Sequence, residues 1–475
     1  MLWLALHLTW LPLEVFTRGL ERCGPVLVAE TGSRAQVLMA SRAAEKLGIR
    51  PGMPVEAARA LGQELLVCRR DPRREAAALA GLAAWAGQFT PHVSLESDGL
   101  LLEIAGSRKL FGGAEKLRER VAREVRALGY HARCAVAPTP RAATWLARAG
   151  SCSVILDPTQ LAQALAPLPL QLVEAAQPHA DLLMALGVTT LGDCLALPRG
   201  GMEQRFGAAF LKELDMALGQ RPDPRPWFTP PPRFLSRLEL PAEVQETHAL
   251  LFAARRLLSE LEGFLRGREA GVEQFQLDLL HGDAPPTRVT VGLVTARRDV
   301  RHLLDLLRER LERLSLAQPV RELVLRAAHI LPCQPRNLEL FPTAESEAEH
   351  VTALIERLRA RLGDGMVHSL ECVADHRPER AMKAGEPGAA HQMGAPSRPL
   401  WLLPRPRPLA CREGRPYLGA PLRIEAGPER IETGWWDGRP VARDYFVAEA
   451  VGGPRYWVYR EAAEVEKWFL HGIFA

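Results

Sequence analysis

The sequence predicts a multi-domain protein of α/β and α+β type with a small β-rich module at its C-terminal end. Three observations predict this. At 475 residues the chain is about three times the ~150 residues of an ordinary domain. Short apolar runs alternate with Ala-rich helical patterns through residues 1–160, and strands alternating with helices build α/β layers. Four of the ten tryptophans (Trp435, Trp436, Trp457 and Trp468) fall within residues 421–475, which is dense enough for a core of its own.

Taken in order, residues 1–8 and 26–29 read as strands, and 41–47 opens a helix that stops at the turn Arg50-Pro51-Gly52-Met53. Residues 55–61 and 74–89 are helical, the latter with apolar positions at helical spacing. Residues 100–104 and 132–137 are strands flanking a helix at 114–128. Residues 161–228 are mostly helical and end in the proline-rich linker Gln220-Arg221-Pro222-Asp223-Pro224-Arg225-Pro226. Residues 235–330 then carry a helix at 246–265, strands at 272–280 and 288–293, a Leu-rich helix at 300–314 and a strand at 320–327, and read as an α+β module of β-α-β-β-α-β type. Beyond Cys333 lies one amphipathic helix at 348–362, and 377–416, rich in Pro, Gly and Arg, reads as a flexible tether.

Composition excludes several classes. At 47% hydrophobic and 24% charged the chain is neither disordered nor a rod. No apolar stretch reaches the ~18–20 residues of a membrane span. The apolar start lacks a basic flank and a cleavage site, so a buried strand is expected there and not a signal peptide. Eight cysteines stand singly with no zinc spacing, which points to reduced thiols in the cytoplasm. No P-loop, GxGxxG or Ser/His/Asp pattern is present, and no cofactor is expected. The net charge of +4 is mild, and lysine occurs at only six positions. Arginine suits phosphate, but a base-biased genome gives the same skew.

Several segments, in order and spacing, resemble the Y-family translesion DNA polymerases, and within them the ImuB-type branch. Ala40-Ser41-Arg42-Ala43-Ala44-Glu45-Lys46-Leu47 with Pro51-Gly52-Met53 is similar to the fingers motif. Phe89-Thr90-Pro91, Val93-Ser94-Leu95-Glu96, Gly106-Ser107-Arg108-Lys109-Leu110-Phe111-Gly112-Gly113 and Ala135-Val136-Ala137-Pro138 resemble the palm. Leu186-Gly187-Val188-Thr189-Thr190-Leu191-Gly192-Asp193 resembles the thumb hairpin. The tail, from Gly434-Trp435-Trp436-Asp437-Gly438 through Arg443-Asp444-Tyr445-Phe446 to the end, resembles the extension of the ImuB branch. The resemblance implies a right hand: palm and fingers at 1–160, a helix-hairpin-helix thumb at 161–228 and a little finger at 233–333. A clamp-binding segment and helix at 334–376, a flexible linker at 377–420 and a partner-binding module at 421–475 would follow.

The departures from the family pattern bear on function. Two-metal nucleotidyl transfer needs hard carboxylate oxygens, supplied in active members by an Asp-x-Asp on the first strand and an Asp-Glu pair on the palm. Here the first strand offers His7-Leu8-Thr9, and the palm reads Glu96-Ser97-Asp98-Gly99. The pair becomes Glu96-Ser97 or Asp98-Gly99, depending on where a gap is placed, and neither is acidic throughout. The triphosphate-holding Tyr and Arg of the fingers become Arg42 and Glu45, and a later Asn-Lys becomes Thr139-Pro140. A carboxylate facing a triphosphate repels it.

In the thumb, Gly187 and Gly192 are expected to present backbone N–H groups to a DNA phosphate, and Arg297 and Arg298 to line the duplex. Asn337-Leu338-Glu339-Leu340-Phe341 resembles the pentapeptide that docks bacterial polymerases into the sliding clamp, with Asn337, Leu338, Leu340 and Phe341 as its anchors. Trp435, Trp436, Arg443, Trp457 and Phe474 are expected to dock partners, since aromatics and arginine dominate interface hot spots. The resemblance implies a catalytically degenerate adaptor in translesion synthesis, located in the cytoplasm at the nucleoid. Its partners would be DNA, the sliding clamp, a RecA-like accessory protein and an error-prone C-family polymerase. The alternatives are an active lesion-bypass polymerase with a remodelled metal site, and a DNA-binding protein without clamp or polymerase partner.

Overall fold

A computed structural model describes residues 1–19, 24–32, 35–62, 64–316, 318–333, 344–385, 398–399 and 401–474. The chain divides into two compact units, Met1–Arg361 and Leu362–Ala475.

The first strand, Trp3–His7, lies inside a sheet ordered Val93–Glu96, Gly99–Glu103, Trp3–His7, Arg133–Ala137, with antiparallel neighbours throughout. Its unbroken apolar run has a physical reason, because both faces of the sheet are covered. Leu4 and Leu6 enter a core with Leu82, Leu102 and Val121, while Trp3 and Ala5 enter another with Trp145 and Leu146. The flanking helices begin where the sequence provides caps. Asp71 accepts from the Arg73 and Arg74 N–H groups at the start of Pro72–Ala86. Thr139 caps Pro140–Ala149, which opens on a proline and closes at Gly150 with φ 81°.

A second, three-stranded sheet carries the fingers-like part: Val37–Ala40, Val26–Ala29 and Leu66–Arg69, with helices Arg42–Lys46 and Val55–Ala60. Residues 161–217 form short helices whose core, built on Leu165, Leu183, Leu191, Phe206 and Phe210, is continuous with the palm residues Trp3 and Ala5. The module that follows has the order strand Phe234–Val244, helix Thr247–Arg266, strands Ala270–Leu280 and Thr287–Arg297, helix Val300–Leu311, strand Val320–Ala327. Its four strands pair antiparallel in the order third, second, fourth, first.

This module packs directly on the palm. At the crossing of Thr247–Arg266 with Pro72–Ala86, a Cβ at Gly263 would lie 2.1 Å from Trp85 Cδ1, and one at Gly267 would lie 2.7 Å from the carbonyl carbon of Gly87. The two helices therefore approach closer than side chains permit. Beside them the buried Arg18 pairs with the buried Glu260, and its Nη2 donates to the Arg237 carbonyl at 3.2 Å.

The second unit holds a seven-stranded antiparallel sheet in the order Ala420–Pro421, Arg415–Leu418, Trp401–Arg412, Glu464–Ile473, Arg455–Glu461, Val441–Glu449, Arg423–Thr433. It corrects the expected tether at 377–420, since the sheet begins at Trp401 and not at 421, and a further pair, Ser369–Cys372 with Met382–Gly385, lies before it. Two of the prolines that suggested a tether are accommodated by register. Trp401–Arg412 pairs with Glu464–Ile473 at 401–402 and again at 407–409, and Pro404 and Pro406 fall in the gap where no ladder N–H is required.

Candidate functional site

The first strand ends beside the hairpin of Val93–Glu96 and Gly99–Glu103, which Ser97 and Asp98 close as a two-residue turn. Glu96 thus ends one strand, and Ser97 lies exposed at the tip. Gly99 is fixed by sterics, because a Cβ there would sit 1.9 Å from the Leu6 carbonyl oxygen.

Two carboxylates remain at this junction, and both are met by arginine. Arg148, near the end of Pro140–Ala149, donates from Nε to Asp98 Oδ2 and from Nη2 to Asp98 Oδ1, each at 3.0 Å. Such a bidentate, charge-assisted pair is among the stronger contacts a carboxylate makes. His7 Nδ1 lies 3.2 Å from Asp98 Oδ2. Arg225 donates from Nη1 to Glu96 Oε1 at 2.9 Å and from Nη2 to Asp223 Oδ2 at 2.7 Å. Arg141 stands 3.6 Å from both Asp223 and Glu213.

The proline-rich linker is laid against the palm by more than this pair. Trp227 stacks on Trp3 with centroids 5.7 Å apart, and the Phe228 N–H donates to the Val93 carbonyl at 2.7 Å.

Burial raises the Glu96 carboxyl above the ordinary carboxylate range, against the pull of Arg225 and Arg148. Burial works the same way on Asp98, but hydrogen bonds from His7 and Arg148 outweigh it and bring Asp98 down to about 2. Thr9 Oγ1 is buried with no hydrogen-bond partner among the described residues. No group of three or more His, Cys, Asp or Glu able to hold a metal ion gathers among the described residues. The residues present do not fit a two-metal centre: the end of the first strand and the residues after it supply His7 and Thr9 in place of acids, and guanidinium groups meet both oxygens of Asp98 and one of Glu96.

Of the positions matching the triphosphate clamp, Thr139 and Pro140 have structural uses. Thr139 Oγ1 donates to the Ala217 carbonyl at 2.7 Å and accepts from the Ala142 N–H, joining palm to thumb-like helices, and Pro140 opens the helix. Arg42 is exposed, and Glu45 is half-buried in the first turn of its helix.

In the thumb hairpin the amides expected to reach phosphate are used internally. The Gly187 N–H donates to the Met184 carbonyl at 3.0 Å, and the Gly192 N–H to the Ala166 carbonyl at 2.8 Å. Asp193 accepts from the N–H groups of Thr189 and Thr190, closing a capping box with Thr190. Gly187 is required by its φ of 74° and Gly192 by its approach to Ala166. Arg297 is likewise structural: its side chain is nearly buried, 3.8 Å from the buried Glu356, which also meets His302 at 2.5 Å and the Val294 N–H at 2.8 Å. Helix Ala344–Leu362 is anchored there. Arg298 is half-buried within electrostatic reach of Glu262. Asn337, Leu338, Leu340 and Phe341 lie outside the described residues.

In the second unit the expected partner-binding residues separate. Trp435 and Trp436 are 72% and 56% exposed on a short turn between Gly434 and Gly438 and meet edge to face at 4.9 Å. Trp457 is 3% exposed and stacks on Tyr445 at 4.1 Å, so it belongs to the module's core and not to a docking face. Arg443 is spent on Glu379 at 3.0 Å and on the Tyr445 hydroxyl at 3.2 Å. Phe474 is half-buried with Arg455 over its ring. The module buries Tyr445, Trp457, Tyr459 and Trp468 in two small clusters, more aromatic surface than its length suggested.

The palm-like sheet, the fingers-like sheet, the helical segment and the β-α-β-β-α-β module together make a right hand, and residues 13–148 match the impB/mucB/samB family. This defines a polymerase-like protein of the Y family. Protein ImuB from Caulobacter vibrioides, in two strains, is 30% identical over 458 residues, covering 90% of this chain and 100% of that protein. The chain belongs to the ImuB family. Among solved structures, a Dbh ternary complex covers 70% of this chain and 99% of its own at 16% identity and a TM-score of 0.39. DinB from Sulfolobus solfataricus covers 70% and 100% at 15% identity and a TM-score of 0.36.

Proposed function

We propose that the chain is a non-catalytic polymerase-like adaptor. As an ImuB-family member it is a polymerase-like protein of translesion synthesis and DNA-damage mutagenesis. In this reading it binds primer-template DNA weakly and holds the sliding clamp through Leu338, Leu340 and Phe341. It gathers a RecA-like accessory protein and an error-prone C-family polymerase at stalled forks, in the cytoplasm at the nucleoid. No helix among the described residues is long and apolar enough to cross a membrane.

The observation that carries this reading is the pairing of Asp98 with Arg148 and of Glu96 with Arg225. Divalent metals would have to displace two guanidinium groups, and the first strand supplies no carboxylate to compensate. Clamp binding rests on the sequence of residues 337–341, where apolar anchors would enter a hydrophobic groove. Each hot-spot truncation costs ~2 kcal/mol or more, about thirtyfold in affinity. Replacing Leu338, Leu340 and Phe341 together by alanine is therefore expected to abolish clamp binding, as read by surface plasmon resonance on immobilised clamp. Clamp affinity equal to that of the parent chain would remove the clamp from the proposal.

A further inference from the structure

In the second unit the arginines Arg423, Arg430, Arg443 and Arg460, on the last three strands of the sheet order, have acidic partners. Arg430 meets Asp444 at 2.7 Å, Arg443 meets Glu379 at 3.0 Å, and Arg423 pairs with Glu449. The hairpin of Trp401–Arg412 and Arg415–Leu418 departs from this. Arg405, Arg407, Arg412 and Arg415 are all exposed, and none has an acidic partner among the described residues, where the one aromatic contact is Arg412 over the Tyr417 ring at 4.4 Å. The one acid of the hairpin, Glu413, lies at its two-residue tip with φ 52°.

Two features show that the charge is concentrated against its own repulsion. Arg412 and Arg415 are direct cross-strand partners, an arrangement in which like charges destabilise a sheet. Arg405 and Arg407 alternate with Pro404, Pro406 and Pro408, which hold the strand extended, so that the two guanidinium groups repeat along it at a fixed interval. A polyanion at the hairpin tip would remove the Arg412–Arg415 penalty, and one reaching Arg407, which alternates onto the other face of the strand, would have to cross the strand. At the start of the same strand Trp401 is 67% exposed. An exposed aromatic ring on a strand that also carries arginines without acidic partners among the described residues is a combination by which single-stranded nucleic acid is held, with bases stacking and phosphates paired.

We propose that this hairpin is a single-stranded nucleic-acid site, separate from the polymerase-like body. It is also separate from the exposed Trp435 and Trp436. Their turn joins the last two strands in the sheet order, whereas the hairpin lies toward the other end.

The test is binding of the full chain to fluorescent oligothymidylate and to a blunt duplex over a range of salt. Replacing Arg405, Arg407, Arg412 and Arg415 by alanine should weaken oligothymidylate binding by more than about tenfold and leave the duplex unaffected. Because each single-strand phosphate contact contributes about 0.7 to the salt slope, that slope should fall by about 3. The fourfold Arg→Lys variant should keep most of the slope. Trp401→Ala should weaken binding with the slope unchanged. The melting temperature without DNA should hold or rise, because the Arg412–Arg415 repulsion is gone. An unchanged slope in the alanine variant, or equal losses on duplex and single strand, would overturn the proposal. So would polyglutamate competing as well as oligothymidylate, which would assign the hairpin to an acidic protein.

Discussion

Asp98 keeps its charge far into acid because Arg148 grips both of its oxygens and His7 approaches one of them. With a folded-state value of about 2, below that of the unfolded chain, its contribution to stability is complete above the ordinary carboxylate range and is lost as pH falls through about 2. Carboxyl-carbon NMR should place the Asp98 midpoint near that value and show it rising in Arg148→Ala. A midpoint that ignores Arg148 would remove the pair from the account. The two carboxylates were legible in the sequence, because family spacing points to them. Their partners were not: Arg225 lies 129 residues from Glu96 in a proline-rich stretch, and Arg148 lies 50 residues from Asp98. No local pattern marks an arginine whose role is set by where the chain returns.

Between elements, the contact that decides the arrangement of the first unit is the crossing of Pro72–Ala86 with Thr247–Arg266. Both helices were legible from apolar periodicity. Their meeting was not, because it rests on missing side chains at Gly263 and Gly267 and on one buried pair. Gly263→Ala would force Trp85 to shift or the helices apart and should cost about 1–3 kcal/mol. Arg18→Ala leaves Glu260 buried without its cation and should cost about 3–5 kcal/mol. Urea denaturation of the chain ending at Arg361 reads both. Costs within a few tenths of a kcal/mol would mean that the module does not depend on this interface. The strands Val37–Ala40 and Leu66–Arg69 escaped the sequence reading for a related reason. Each pairs with Val26–Ala29, which lies between them, and that pairing is not written in either segment alone.

At the scale of the whole molecule the chain is two compact units. The aromatic-rich tail was legible as a separate module, but its N-terminal boundary was not, because the proline strand that starts its sheet at Trp401 has the composition of a tether. Ending the chain at Arg361, between the two units, should leave the first unit cooperatively folded and able to bind duplex DNA and the clamp while abolishing capture of the RecA-like protein and the C-family polymerase. Trp435→Ala with Trp436→Ala should reproduce that loss with the fold intact, as read by pull-down with each partner. Full capture by the truncated chain would move the docking face to the first unit, and full capture by the double variant would move it off the two tryptophans. The central claim is that a right hand whose remaining palm carboxylates are held by arginine no longer polymerises. It is tested most directly by primer extension with the purified chain on a primed template, in Mg²⁺ and in Mn²⁺. The account predicts no incorporation with either metal. Incorporation that disappears in Glu96→Ala or Asp98→Ala would contradict it.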